Sequence, residues 1–330
     1  KTAYEIKECD WSSDVCSSDL LRVTTGVRFD HLSYSVDNRL AGAPVFVAAG
    51  APFPAARFYG QVNSTDVSYR HVSPKFGAIY ALGAATHLFA GYTHGFRAPS
   101  EGNLFRPAVG ASALAANAAA VAAAALNPIK ADQFEMGLRG RAGAVSYDVV
   151  LYDLAKRDDL VSQRDTVTTL TTTVNAGKTR HRGIEAAAGG PLPALNGAWR
   201  MDVAVSYAKH RYEQWVTNAG NFTGKEIEAA PSVMANTRLT WQPHKDARVQ
   251  LEWLTTGRYW LDAANTQQYG GHHLFNVRGN WPLTRDVSVS GNIQNLANRR
   301  YADSAQVSSG QPVLSPGLPR TVYAGLEVKW

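Results

Sequence analysis

The chain has no long hydrophobic run. Its longest weakly polar stretch, 111–126, is almost all alanine and too poor in Leu, Ile and Phe for a membrane-crossing helix, so helical spans are excluded and the stretch reads as a short helix within a loop. Cysteine is scarce: Cys9 and Cys16 are the only two, both within the first twenty residues. Two thiols at that spacing supply too few ligands for a metal site, which leaves a small disulfide loop as the remaining use. Charged residues make up only 18%, and the net charge of +6 is scattered, with no block of one sign and no basic recognition helix. Nucleic acid is therefore not an expected partner. Nucleophile-elbow patterns are also missing. Ser206 and His210 are four apart on one face of a strand, too separated to hydrogen-bond directly, so no catalytic site and no cofactor is expected.

The first twenty residues differ from everything downstream. Ser-Ser-Asp occurs twice, five residues apart, and the segment Trp11 to Leu20 resembles translated sequencing-adapter sequence joined to a reading frame. Residues 1–20 are accordingly expected to be non-native, with native sequence from Leu21. No positively charged start followed by an apolar signal core is present, so an exported protein's N-terminus is expected to lie upstream.

What the sequence does have is alternation. In the last segment Val322, Ala324, Leu326, Val328 and Trp330 share one face of a strand, and Thr321, Tyr323, Glu327 and Lys329 the other. Phe134, Met136 and Leu138 alternate with Gln133, Glu135 and Arg139. Trp199, Met201, Val203, Val205 and Tyr207 alternate with Arg200, Asp202, Ala204 and Ser206. Val249, Leu251 and Trp253 oppose Arg248, Gln250 and Glu252, and Phe275, Val277 and Trp281 oppose Asn276, Arg278 and Asn280. By this rule about twelve strands are expected, near 21–36, 66–82, 86–97, 129–140, 144–163, 167–188, 198–216, 226–242, 247–262, 270–281, 286–301 and 319–330.

A buried sandwich has the same period, but the connections separate the readings. Those near 83–84, 140–143, 191–197, 243–246 and 282–285 are short, and the intervening ones, 37–65, 98–128, 217–225, 262–269 and 302–318, are longer, with a modest link near Asp165. Short turns on one side and long loops on the other suit an antiparallel transmembrane β-barrel. Trp199, Trp241, Trp281 and Trp330 lie by short turns, and Tyr212, Trp215, Tyr259, Trp260 and Tyr301 lie towards long loops, as two interfacial bands would. Lys178, Arg180 and Arg182 share parity with Ile184 and Ala186. Such charges fit a lipid-facing surface only where the strand projects above the hydrocarbon, towards lipopolysaccharide phosphates, or where a bulge changes the phase.

Four segments then carry a family resemblance. Gly91-Tyr-Thr-His-Gly-Phe-Arg-Ala-Pro-Ser100 followed by Asn127-Pro-Ile-Lys-Ala-Asp-Gln-Phe-Glu-Met-Gly-Leu138, then Asn175-Ala-Gly-Lys-Thr-Arg-His-Arg-Gly-Ile-Glu185, then Asn292-Ile-Gln-Asn-Leu-Ala-Asn-Arg-Arg-Tyr301 resemble, in order, the barrel of TonB-dependent outer-membrane receptors. The resemblance covers about 21–330. It implies an all-β fold with about twelve strands of a twenty-two-stranded barrel whose lumen is plugged. Neither plug nor TonB-contacting box is present in the sequence.

By that resemblance the protein is a bacterial outer-membrane receptor and transporter. It would take up a scarce nutrient, most readily a ferric siderophore, energised by the TonB complex through the plug, and would contact outer-membrane lipid and lipopolysaccharide. Candidate ligand contacts near the outer rim are Arg97, Phe105, Arg106, Trp260, Tyr269 and His272. Arg offers directed, charge-assisted bonds to carboxylate or catecholate oxygens, and the aromatics offer stacking surfaces. His272 and His273 are strand neighbours pointing to opposite faces, so they are not expected to chelate a metal together. Two rival readings are a complete twelve-stranded passive porin or adhesin barrel and an outer-membrane hydrolase barrel.

Overall fold

The structure, a computed structural model, describes residues 20–39, 45–50, 57–60, 64–105, 108–164, 171–195, 198–217, 220–308 and 310–329. Cys9, Cys16, Arg106 and Trp330 lie outside the described residues, as does the 1–20 segment apart from Leu20.

Twelve strands form one antiparallel sheet in sequence order: β1 (Leu21–Val36), β2 (Thr65–Gly83), β3 (Thr86–Arg97), β4 (Ile129–Ala142), β5 (Val145–Arg164), β6 (Thr171–Pro191), β7 (Trp199–Thr217), β8 (Val233–His244), β9 (Ala247–Thr256), β10 (His272–Pro282), β11 (Val287–Gln294) and β12 (Thr321–Val328). The two-residue strand Gly220–Asn221 adds to the end of β7. β1 and β12 are the edges of the sheet and do not pair with each other. No helix among the described residues is long and apolar enough to cross a membrane.

The short connections all fall at one end of this meander. Three are two-residue hairpins, closed by the pairs Gly83 with Thr86, Ala142 with Val145 and His244 with Ala247. In the second, Gly143 has φ 61, a left-handed conformation that costs a glycine nothing. The long connections fall at the other end, and this end is where the strand boundaries depart from expectation. β8 begins at Val233 rather than near 226, β9 stops at Thr256 rather than near 262, and β11 stops at Gln294 rather than near 301. Each break has a local cause that period-2 counting does not see. Ala229 and Asn295 take positive φ (54 and 51), and Gly257 packs so closely on Val233 that a Cβ there would press on its backbone.

Pairing register divides the sheet into two chemically distinct faces. On one, Phe134 lies opposite Asp153, then Met136 opposite Leu151, Leu151 opposite Ile184, Ile184 opposite Tyr207 and Leu251 opposite Val277. Val322, Leu326 and Val328 continue it on β12, and these apolar side chains are exposed. An exposed apolar belt running across every strand suits lipid rather than water. The other face is polar and cross-linked by side chains. Arg139 bonds Asp148 at 2.7 Å, Arg238 bonds Glu252 at 3.2 Å, Asn236 and Asn276 also donate to Glu252, and Arg278 donates to Gln250 at 2.7 Å. Gln250, 2% exposed, donates in turn to Thr240.

At the short-turn end of the apolar face, Trp199, Trp241 and Trp281 form a ladder with centroid spacings of 6.0 and 5.8 Å. This is the expected lower aromatic band. The expected upper band is different. Tyr212 is 3% exposed and bonds Glu228, Tyr259 is 8% exposed inside a loop core, Trp215 packs on Tyr212 at 4.4 Å, and Tyr301 packs at a tilt against His272. These aromatics turn towards the polar face and the loops because each finds a polar partner or packing surface there.

The loops have structure of their own. Val45–Val47, Arg57–Gly60 and Ala108–Gly110 form a small sheet joining the β1–β2 and β3–β4 loops, covered by helix α2 (Ala113–Ala124), after the single-turn helix α1 (Glu101–Leu104). Ser112 caps α2 by accepting from Ala115 N at 3.2 Å. The alanines are what allow close contact, since Gly60 and Gly110 abut the Ala116 backbone and Ala116 is fully buried.

Candidate functional site

The site is best built from the loops above β8–β12. Tyr259–Trp260 pairs with Gln268–Tyr269, and Ala302–Ser308 pairs with Gln311–Pro316. Their shared core is Tyr259, Leu261, Ala302 and Ala305, with Tyr269 and Val307 packed against it. Asp262 closes the first of these loops. Its carboxylate accepts from Thr266 N (3.0 Å), the Thr266 hydroxyl (3.1 Å) and Gln267 N (2.8 Å). Burial alone would raise the Asp262 carboxyl, but these donors outweigh it and hold it below the usual carboxylate value. Burial pushes the Tyr259 phenol up, with Tyr269 adding to the effect.

An aromatic cluster stands on this base. Tyr269 lies 5.2 Å from Tyr259, its hydroxyl is 2.9 Å from His272 Nδ1, and it accepts from Ala302 N at 3.1 Å. His272 packs against Tyr301 at 4.7 Å. His272, Tyr301 and Asp303 then form the upper edge of a concavity of about 920 Å³ on the polar face, with Glu185, Ser206 and Asn236 among its walls. The arrangement offers flat rings, a phenol and an imidazole to a ligand entering from the loop side. This is recognition chemistry for a polar, partly aromatic molecule.

Of the six residues singled out from sequence, Tyr269 and His272 are brought together here. Trp260 belongs to the same loop cluster, half-buried, with its indole N–H donating to Glu226 at 3.0 Å. Arg97 and Phe105 are elsewhere. Arg97 ends β3 on the polar face, exposed, seven strands from β10. Phe105 packs edge-on against Tyr34 at 6.2 Å and serves to seat α1 on β1. Arg106 lies outside the described residues. Tyr301, Tyr259 and Asp303 were missed: parity placed the tyrosines at the membrane interface, and only the loop hairpins reveal their company.

His272 and His273 point to opposite faces, the latter against Thr255 and Trp253. No group of three or more metal-ligating side chains occurs among the described residues. His210 pairs with His181 at 2.8 Å, and no bond to Ser206 is formed among the described residues.

The sequence motifs resolve into anchors. Asn295, 3% exposed, donates to Arg299 O and Leu318 O and accepts from Arg299 N, while its own N–H donates to Asn276. Asn175 likewise donates to Asn127 O and Asp158 O and accepts from Asn127 N. Buried Pro99 accepts from the Tyr34 hydroxyl at 3.2 Å. Residues 10–296 match the family described as TonB dependent receptor-like, beta-barrel.

The chain belongs to the TonB-dependent receptor family. The family is one of outer-membrane receptors and transporters, so the asparagine and proline anchors can be read as the joints that hold a receptor's outer loops to its barrel. Among solved structures, this receptor chain is similar to the copper transporter OprC (TM-score 0.70, 18% identity, 94% of this chain and 45% of that one). It is similar also to the ferric citrate transporter FecA in its unliganded form (0.67, 20%, 94% and 43%) and to the ferric yersiniabactin uptake receptor FyuA from Yersinia pestis (0.66, 17%, 94% and 43%). At these identities the likeness establishes the fold. The chain spans less than half the length of these structures.

Proposed function

We propose that the chain supplies part of the wall and outer vestibule of a receptor that imports a scarce chelated nutrient across the bacterial outer membrane, driven through TonB. The observation carrying this reading is the aromatic and imidazole cluster of Tyr269, His272 and Tyr301 above a polar, charge-paired wall. An aqueous permeation path needs such a wall, and a passive pore has little use for a clustered aromatic mouth. Ferric siderophores are the leading substrate class, because a chelate presents flat donor groups and carboxylate or catecholate oxygens to such a mouth. Two of the similar structures are named for ferric uptake and one for copper, which is consistent with a metal chelate as cargo.

The test is growth and radiolabelled-metal uptake with the complete receptor. Deleting the receptor, or separately removing TonB, is expected to abolish uptake of one chelate. Unchanged growth on every ferric siderophore, haem, ferric citrate and cobalamin source would refute the transport reading. A double substitution His272→Ala with Tyr301→Ala is expected to weaken chelate binding by about tenfold to a hundredfold, the range expected when two contacting rings are removed.

A further inference from the structure

Ser206 and His210 share the polar face of β7, and Glu185 and His181 share that of β6, with Ser206 paired opposite Glu185 and His210 opposite His181. Pairing is unbroken between the two rows, so both imidazoles point the same way as Ser206 and Glu185, which wall the concavity beneath the mouth. Four residues of strand put the rings roughly 13 Å further towards the loops. There each ring aims its Nδ1 at the other's, 2.8 Å apart, with centroids at 5.1 Å and planes inclined by 56°.

Two ring nitrogens directed at one point share either a proton or a metal ion. A cation bound by both at about 2.0–2.1 Å needs the nitrogens about 2.8–3.0 Å apart when its bonds meet at a right angle, and about 3.3–3.4 Å apart when they are tetrahedral. The separation between His181 and His210 matches the right-angled, tetragonal arrangement that divalent copper and nickel prefer.

The surroundings suit such an ion. Thr179, 3% exposed, has its hydroxyl 3.2 Å from His181 Nε2. With a cation on Nδ1 the ring's proton sits on Nε2 and is donated to that hydroxyl, the outer contact that fixes tautomer and ring angle in metal-binding histidines. The carbonyl of His210 accepts from Ile227 N at 3.0 Å, which ties this part of β7 to the 222–232 loop. The charged groups acting on the pair are Lys156 and Asp159, which neutralise each other at 2.5 Å, and Glu226, whose carboxylate favours a cation. Two protein nitrogens leave the remaining coordination positions to water or to donor atoms of an incoming molecule.

We propose that His181 and His210 form a two-imidazole seat for a divalent copper or nickel ion on the polar face of β6 and β7, built from residues other than the Tyr269, His272 and Tyr301 cluster. The seat follows from the two facing rings and needs neither the cargo nor TonB.

The test uses the complete receptor, purified in detergent without a polyhistidine tag and freed of metal with a chelator. Copper(II), nickel(II) and zinc(II) salts are each titrated at neutral pH by calorimetry. Copper is expected to bind most tightly, and zinc at least about tenfold more weakly, from geometry and the ordinary affinity order together. H181Q and H210Q are each expected to weaken copper by at least about tenfold, and H181Q/H210Q to remove one equivalent, since one or both protein ligands are gone. H244A, at the short-turn end, is the control. Electron paramagnetic resonance of the equivalent lost in the double variant should show two imidazole nitrogens. Where heat-shifted gel mobility shows that a variant has not folded, the unsubstituted receptor decides: exchange of the imidazole C2 hydrogens of His181 and His210, read by mass spectrometry, should slow under saturating copper. Unchanged copper affinity and stoichiometry in folded H181Q/H210Q, unchanged exchange at both histidines, or zinc held by this pair as tightly as copper would each overturn the proposal. The salts are titrated without a chelate, so a failure of the transport reading leaves this outcome untouched.

Discussion

β5–β7 and β8–β12 share one sheet, one apolar belt and one tryptophan ladder, yet they differ above the belt. β5, β6 and β7 run for 20, 21 and 19 residues, whereas β8 to β12 run for 12, 10, 11, 8 and 8. The long strands continue past the hydrocarbon with their outward face unchanged in phase, and that face becomes cationic. The short strands end near the hydrocarbon boundary, and their loops fold over the polar face to build the aromatic mouth. Strand length beyond the belt thus decides whether a segment's polar groups continue the outward face or fold over the polar one.

The strongest way to break this comparison is to move a charge into the belt itself. Val203→Arg, midway between Trp199 and Tyr207, is expected to cost about 2–4 kcal/mol in bilayer-reconstituted unfolding, against about 0–1 kcal/mol for Thr255→Arg near the upper margin of β9. Equal costs would mean that the two positions do not differ in depth. Next in size is Asn295→Ala, which removes three side-chain hydrogen bonds and puts a Cβ-bearing residue without a polar anchor at φ 51. A loss of about 2–3 kcal/mol is expected, with Asn295→Gly recovering part of it, as scored by denaturant midpoint.

A smaller effect sharpens the mouth. Asp262 has its carboxyl held below the usual value, so it stabilises the folded loop above the unfolded-state pKa and loses that contribution as pH falls through the lower folded value. Hydrogen exchange at residues 262–268 should therefore rise only in acid, below about pH 4, the ordinary carboxylate range. In Asp262→Asn exchange should be faster at neutral pH and flat across that range. The smallest expected change is Trp281→Ala, about 1 kcal/mol by the same unfolding measurement, because one end of a stacked ladder is removed while Trp199 and Trp241 remain.

Period 2 made the sheet legible in the sequence. Phe134 to Leu138, Trp199 to Tyr207, Val249 to Trp253 and Phe275 to Trp281 all lie on the faces that alternation assigns, because a pleated strand leaves a side chain only two directions. Strand ends at the loop side were not legible, since Ala229, Gly257 and Asn295 break pairing through backbone angle and close approach, properties that hydropathy does not carry. The mouth was legible in part. Tyr269 and His272 stood out by type and position, but Tyr301 reaches His272 only because the Asn295 knot reverses the chain. Phe105 shows the converse, an aromatic near the rim that proves to be a packing wedge against Tyr34. The basic rows of β6 and β7 posed a conflict between parity and charge, and strand length resolves it.

The stacked indoles of Trp199, Trp241 and Trp281 have a further use as a spirit level. They sit at the short-turn ends of β7, β8 and β10, so quenching by lipids brominated at graded depths should extinguish all three together if the barrel stands upright. A spread among single-tryptophan versions would report, in degrees, how far the whole receptor leans in its bilayer.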